Sequence, residues 1–237
     1  MGKIPIYKIG DIVSLKSHPL FKGYLINSYS HQVPPLMLIQ EVLVEDENKK
    51  KIYSDEMGTP HQIADLVKYK CVYFDDKKSE FNEVTLYESV LESYNKLRFH
   101  SESSSGSKET KDKLIEEVEN YKPINNYEYG KVIQLKTKKL ESRKKIETGK
   151  PEKYKHPSFT SPDFVLIGIK KEINTSSFYN DGTVKKQAPE VLFKISWFNH
   201  VQQKFSEYYF PKEFFIEPLE EKIIKPKKGT KKRNTDK

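Results

Sequence analysis

The side chains that most often carry chemistry are few in this chain and badly placed for it. Six histidines, His18, His31, His61, His100, His156 and His200, are scattered without the short spacings that bring two imidazoles to one metal ion. No HExxH and no paired Cys/His pattern accompanies them. His18, His31, His61 and His156 each stand within three residues of a proline, so they read as solvated histidines in loops. The single cysteine, Cys71, precedes Val72 in an expected strand and reads as a small buried hydrophobe. A nucleophilic thiol would need a positioned base and a depressed pKa, and neither is legible. The ten glycines form no Walker loop and no GxGxxG phosphate cradle. Asp75-Asp76 and Glu220-Glu221 fall in a turn and near the C-terminal end, where paired carboxylates are ordinary solubilising charges. The expectation is a non-enzyme with no catalytic residue, no metal ligand and no cofactor.

Binding chemistry is better represented. Lys136, Lys138, Lys139, Arg143, Lys144, Lys145, Lys150, Lys153 and Lys155 place nine positive charges within twenty residues, interrupted by Glu141, Glu147 and Glu152. The net charge of +8 is uneven. Residues 1–100 hold 13 Lys and Arg against 14 Asp and Glu; residues 124–220 hold 17 against 12, and 221–237 hold 8 against 2. Such clusters neutralise phosphates and release counterions without reading sequence. Two plainer readings compete: a solvated charged loop, and a Lys-, Ile- and Asn-rich composition inherited from AT-rich coding. Arg98, Arg143 and Arg233 are the only arginines, which argues against bidentate base readout. Aromatics reach 12%. In Tyr73-Phe74, Trp197-Phe198 and Tyr208-Tyr209-Phe210, strand alternation sends neighbours to opposite faces, one to the core and one outward. Trp197 joins the nine basic residues as a candidate nucleic-acid contact, since barrel aromatics stack bases. A core Trp is the rival reading.

The elements that hold these residues repeat. Tyr7-Lys8-Ile9-Gly10-Asp11-Ile12-Val13-Ser14-Leu15-Lys16-Ser17 returns 120 residues later as Tyr127-Glu128-Tyr129-Gly130-Lys131-Val132-Ile133-Gln134-Leu135-Lys136-Thr137. Each copy is a turn glycine followed by an alternating strand. Pro35–Val42 and Pro162–Ile169 are apolar runs entered through a proline, as buried strands are. Lys70-Cys71-Val72-Tyr73-Phe74-Asp75 faces Lys194-Ile195-Ser196-Trp197-Phe198-Asn199 at an offset of 124, followed by Phe81 facing Phe205. Segments 18–34, 45–66, 138–161 and 171–190 are long polar connections, longer than compact domains usually carry. Residues 101–110 have linker composition. Helical spacing is expected for Leu114, Ile115, Val118 and Tyr121, and for Leu86, Val90, Tyr94 and Leu97; the tail from Lys222 is expected to be disordered.

These blocks resemble the YodC-like family of small uncharacterised bacterial proteins. The resemblance rests on Gly10-Asp11-Ile12-Val13-Ser14-Leu15-Lys16-Ser17, a middle apolar strand, Lys70-Cys71-Val72-Tyr73-Phe74-Asp75 and a closing Glu/Leu-rich segment. Tyr73 stands where the pattern has Trp, and the second copy supplies Trp197 there. About half of each copy is covered, and the long loops are not. The resemblance implies a small SH3-like or KOW-like barrel and no established activity.

The expected architecture is mainly β, with two such barrels in tandem. Residues 4–98 form the first, 99–123 a flexible-to-helical linker, 124–219 the second and 220–237 a disordered basic tail. Cutting within Ser103–Ser107 should then yield two separately folded fragments. No apolar run is long enough to span a bilayer and the first residues lack a signal h-region, so a cytoplasmic protein without membrane contact is expected. The expected function is weak, non-specific binding of DNA or RNA, or of a nucleoprotein complex, through the second unit and tail. The alternative is a protein–protein adaptor that makes no nucleic-acid contact, docking a partner by strand addition on the first unit.

Overall fold

The structure is a computed structural model. It describes residues 4–18, 33–46, 52–54, 57–58, 60–62, 65–94, 121–142, 145–147, 153–155, 159–173 and 176–218. The chain is mainly β, with two antiparallel sheets and almost no helix. No helix among the described residues is long and apolar enough to cross a membrane.

In the N-terminal half the strands are β1 (Ile12–Leu15), β2 (Met37–Val44), the small hairpin β3 (Ile52–Ser54) and β4 (Pro60–Gln62), β5 (Val67–Asp75), β6 (Glu80–Tyr87) and β7 (Leu91–Ser93). The C-terminal half repeats this with β8 (Val132–Leu135), helix α1 (Lys138–Ser142), the hairpin β9 (Lys145–Glu147) and β10 (Lys153–Lys155), β11 (Phe164–Lys171), the hairpin β12 (Ser177–Phe178) and β13 (Val184–Gln187), β14 (Val191–Asn199), β15 (Lys204–Pro211) and β16 (Phe215–Ile216). The orders β6-β5-β2-β1-β7 and β15-β14-β11-β8-β16 are the same meander, with the last strand returning to pair with the first. A single 3-10 turn precedes that return in both halves, at Glu88–Val90 and Lys212–Phe214.

The correspondence extends to single bonds. The Gly10 amide donates to Ile39 O at 2.8 Å, and the Gly130 amide to Leu166 O at 2.8 Å. Both glycines hold φ near +85°, at +83° and +86°, a region costly for residues with a Cβ. One bulge interrupts β2 between Ile39 and Glu41, and another β11 between Leu166 and Gly168. The turns after β5 and β14 each end on a positive-φ residue, Ser79 and Gln203, both at +53°. Val13 and Ile133, Leu15 and Leu135, and Phe74 and Phe198 occupy matching strand positions.

The halves differ in how they close. In the first, the Tyr69 hydroxyl accepts the amides of Ile6 and Tyr7, both at 3.1 Å, and donates to Glu88 Oε2 at 2.5 Å. This pins Tyr7 over the sheet, its ring 5.3 Å from that of Tyr69 and its phenol pushed up to about 12 by burial and by Glu92, Glu88 and Asp11. Val13, Met37, Ile39, Val42, Cys71 and Leu91 complete this core. In the second half Phe193 and Lys212 stand where Tyr69 and Glu88 do, so the hydroxyl that holds the pin is missing and Tyr127 is exposed.

The other half closes the second core instead. Ile12, Leu36, Leu38, Val72 and Phe74, on the outer face of the N-terminal sheet, join Ile133, Phe164, Leu166, Ile195, Trp197, Phe210 and Phe215 in one cluster. Phe81, partly buried, packs against this cluster, 4.3 Å from Phe210 and 5.5 Å from Trp197. The arrangement is a sandwich of two sheets. The β12–β13 hairpin strengthens it by strand addition, pairing Lys186 and Gln187 with Leu43 and Val42 of β2 and making the N-terminal sheet seven-stranded.

Two expectations are modified, the closed barrels and the helical spacing around Val90. Among the described residues no ladder closes either sheet into a barrel. The halves 4–98 and 124–219 share a core and a sheet across the boundary drawn between them. The helical spacing of Leu86, Val90 and Tyr94 belongs to a strand, a 3-10 turn and the residue after β7, and Val90 is exposed between the other two. Leu97, most of the expected linker helix and the tail lie outside the described residues.

Cys71 is buried, and burial pushes its thiol up to about 12. Native protein is therefore expected to leave an aromatic disulfide reagent unreacted, whereas denaturant releases one thiol per chain. Fast reaction without denaturant would contradict this packing.

Candidate functional site

The described basic residues singled out from the sequence divide into three groups. Lys136 follows β8, and its amide donates to Phe214 O at 3.0 Å. Its ammonium crosses to the other half and donates to Gly10 O at 3.3 Å, where burial lowers its pKa against the pull of Asp11 and Glu213. A cavity of about 220 Å³ beside it is lined by Asp11, Ser93, Tyr121 and Ile216. Lys138, at the start of α1, is ion-paired with Asp163, and Lys139 is half-buried on the same turn. Glu141 of α1 is fully buried and accepts the Leu36 amide at 2.7 Å, so this helix is a joint between the halves. Lys145, Lys153 and Lys155 lie on the β9–β10 hairpin, with Lys155 opposite Lys145 and Lys153 opposite Glu147. Arg143, Lys144 and Lys150 lie outside the described residues.

Trp197 lies in the core and not on a ligand-facing surface. It is 7% exposed, packs edge-on against Phe81 and Phe164, and donates its indole N–H to Ser79 O at 3.1 Å. Asn199, two residues on and on the same face, donates to Lys78 O and Ser79 O and accepts the amides of Val201 and Gln202. The pair clamps the β5–β6 turn onto the C-terminal sheet. His18 is likewise fully buried, a correction to its reading as a surface histidine: its amide donates to Leu15 O at 2.8 Å, which folds it back under β1. Among the described residues no three His, Cys, Asp or Glu side chains converge as a metal site.

The surface that sequence reasoning missed is the outer face of the C-terminal sheet. The register places Val132, Val165, Ser196 and Glu207 in one row, Phe198 beside Phe205, and Lys194 beside Tyr209. Phe205 is 75% exposed, Phe198 47%, Val132 46% and Val165 39%. The rings of Phe198 and Phe205 meet edge-on at 5.5 Å. Lys194 and Glu207 form an ion pair at 2.5 Å within the patch. Each residue has a counterpart in the N-terminal sheet: Ile12, Leu38, Val72, Phe74 and Phe81, with the pair Lys70–Glu83 at 2.8 Å. There Ile12, Leu38, Val72 and Phe74 are at most 6% exposed, because the C-terminal half covers them. The alternation of Trp197 and Phe198 signalled that one aromatic faces outward; only the packing shows that it is Phe198.

In comparison with known proteins, the chain matches no family model, no curated protein and no solved structure.

Proposed function

We propose that this chain is a non-catalytic protein-interaction module, made of two SH3-like units of common descent, that docks a partner on the outer face of its C-terminal sheet. The SH3-like reading is supported by the five-strand meander, the 3-10 turn before the last strand and the return of that strand to the first. It accords with the YodC-like resemblance of the sequence blocks. The functional reading is carried by one observation: an apolar face that is buried in one half is laid bare in the other. Contiguous exposed apolar surface on a soluble fold marks a docking site. Strand addition to the first unit is already made within the chain, where β13 pairs with Leu43 and Val42 of β2.

Nucleic-acid binding is the second reading, favoured by the Lys and Arg excess of residues 124–237. It has less geometric support, because Lys136, Lys138 and Trp197 are engaged within the fold. Affinity capture followed by mass spectrometry separates the two. A partner held by the wild type should be lost with Phe198→Glu/Phe205→Glu and kept when Lys138, Lys139, Lys144 and Lys145 become Glu. Salt-sensitive retention on DNA or RNA, abolished by the Lys changes and indifferent to the Phe changes, would reverse the order of the readings.

A further inference from the structure

We infer that the partner on this face is a second copy of the same chain, the two C-terminal sheets packing outer face to outer face about a twofold axis. The inference rests on the docking reading above and names its occupant.

Three observations choose a second copy. The first is the repeat itself. The five positions Val132, Val165, Ser196, Phe198 and Phe205 match Ile12, Leu38, Val72, Phe74 and Phe81, a face that within one chain already packs on a β-sheet of this protein, there on the inner face of the C-terminal sheet. Four of the five remain apolar and exposed, with no cover among the described residues. Second, the patch carries no net charge, because its cation Lys194 and its anion Glu207 are joined to each other. A polyanion gains little from such a face. Third, a patch with an apolar field and one adjacent plus–minus pair is self-complementary under twofold rotation, which sets Lys194 of each copy toward Glu207 of the other. An isologous interface requires that property.

The dimensions set the strength. Three strands of eight or nine residues and the four-residue β8, about 4.8 Å apart and rising about 3.3 Å per residue, present roughly 400 Å² on each copy. About 800 Å² for the pair is small for a specific interface, so association is concentration-dependent and not obligate.

Sedimentation velocity on the full chain over a concentration series tests this. The wild type should shift from monomer toward dimer as concentration rises. Phe205→Glu and Val165→Lys, at exposed positions on opposite sides of the patch, should each remain monomeric while keeping the wild-type circular dichroism. Phe178→Glu, an exposed aromatic on the added β12–β13 hairpin, should dimerise like the wild type. A wild type that stays monomeric up to its solubility limit overturns the inference. So does a dimer that Phe205→Glu and Val165→Lys leave intact, or one that Phe178→Glu disrupts equally. Loss of a different captured partner in Phe198→Glu/Phe205→Glu, alongside a strictly monomeric wild type, would preserve the docking reading and reject only the second copy.

Discussion

Trp197→Ala is expected to lower the stability of the whole chain by about 3–5 kcal/mol, the range for removing a large buried aromatic. Folded domains of this kind are stable by about 5–15 kcal/mol, so the change removes a large share. The reason lies in what the ring touches. Trp197 belongs to β14, yet it rests on Phe81 of β6 and hydrogen-bonds the turn at Ser79. Its loss leaves a cavity between the sheets and weakens the hold of each on the other. Trp197→Phe retains most of the ring and removes the indole donor; Asn199 still donates to Ser79 O, so about 1 kcal/mol is expected. Denaturant titration should show one transition, with circular dichroism and Cys71 thiol reactivity moving together to lower midpoints in Trp197→Ala. Cys71 sits in the N-terminal core, so its response to a change in the C-terminal sheet reports the coupling. If Cys71 kept its wild-type midpoint while the dichroism shifted, the two cores would be separate cooperative units.

Much of the fold is legible in the sequence because local backbone demands recur. Gly10 and Gly130 sit where φ is positive, and the alternation after each is that of a half-buried strand. The relation between the halves is not legible, and the cause is physical. Two similar copies suggest two similar barrels, whereas two replacements separate them: Tyr69 with Glu88 anchors the Tyr7 segment, and Phe193 with Lys212 lacks the hydroxyl and the carboxylate that would anchor Tyr127. The N-terminal half thereby seals its inner face, and the C-terminal half leaves its own to be sealed by a neighbour. Strand parity has the same limit. It separates Trp197 from Phe198 and Phe74 from Tyr73, but it does not say which face another sheet will cover. Nor does a polar connection such as 171–190 reveal that Lys186 will meet Glu41, at 3.0 Å, once β13 joins β2. The basic cluster at 136–155 is a conspicuous signal, yet two of its described members are engaged within the fold: Lys136 reaches Gly10 of the other half, and Lys138 is held by Asp163.

Cleavage at a protease site placed within Ser103–Ser107 is expected to leave the halves associated, and the purified fragments to behave unequally. The N-terminal fragment has a core of its own under Tyr7, so it should keep a β-sheet dichroism signal although its outer face loses its cover. The C-terminal fragment loses Ile12, Leu36, Leu38, Val72, Phe74 and Phe81 from above Phe164, Trp197 and Phe210. Each large apolar side chain returned to water forfeits about 1.5–3 kcal/mol, and several are uncovered at once. That exceeds the stability expected of a domain of about one hundred residues, so this fragment should lose tertiary structure or aggregate. Mixing the fragments should restore the native dichroism and return Cys71 to its unreactive state. Size-exclusion chromatography of the nicked chain, of each fragment and of the mixture is the measurement. Two fragments that each unfold cooperatively and elute as separate folded species would show that the shared core contributes little. A C-terminal fragment that folds alone would in addition require another cover for Trp197, which no strand of its own half provides among the described residues.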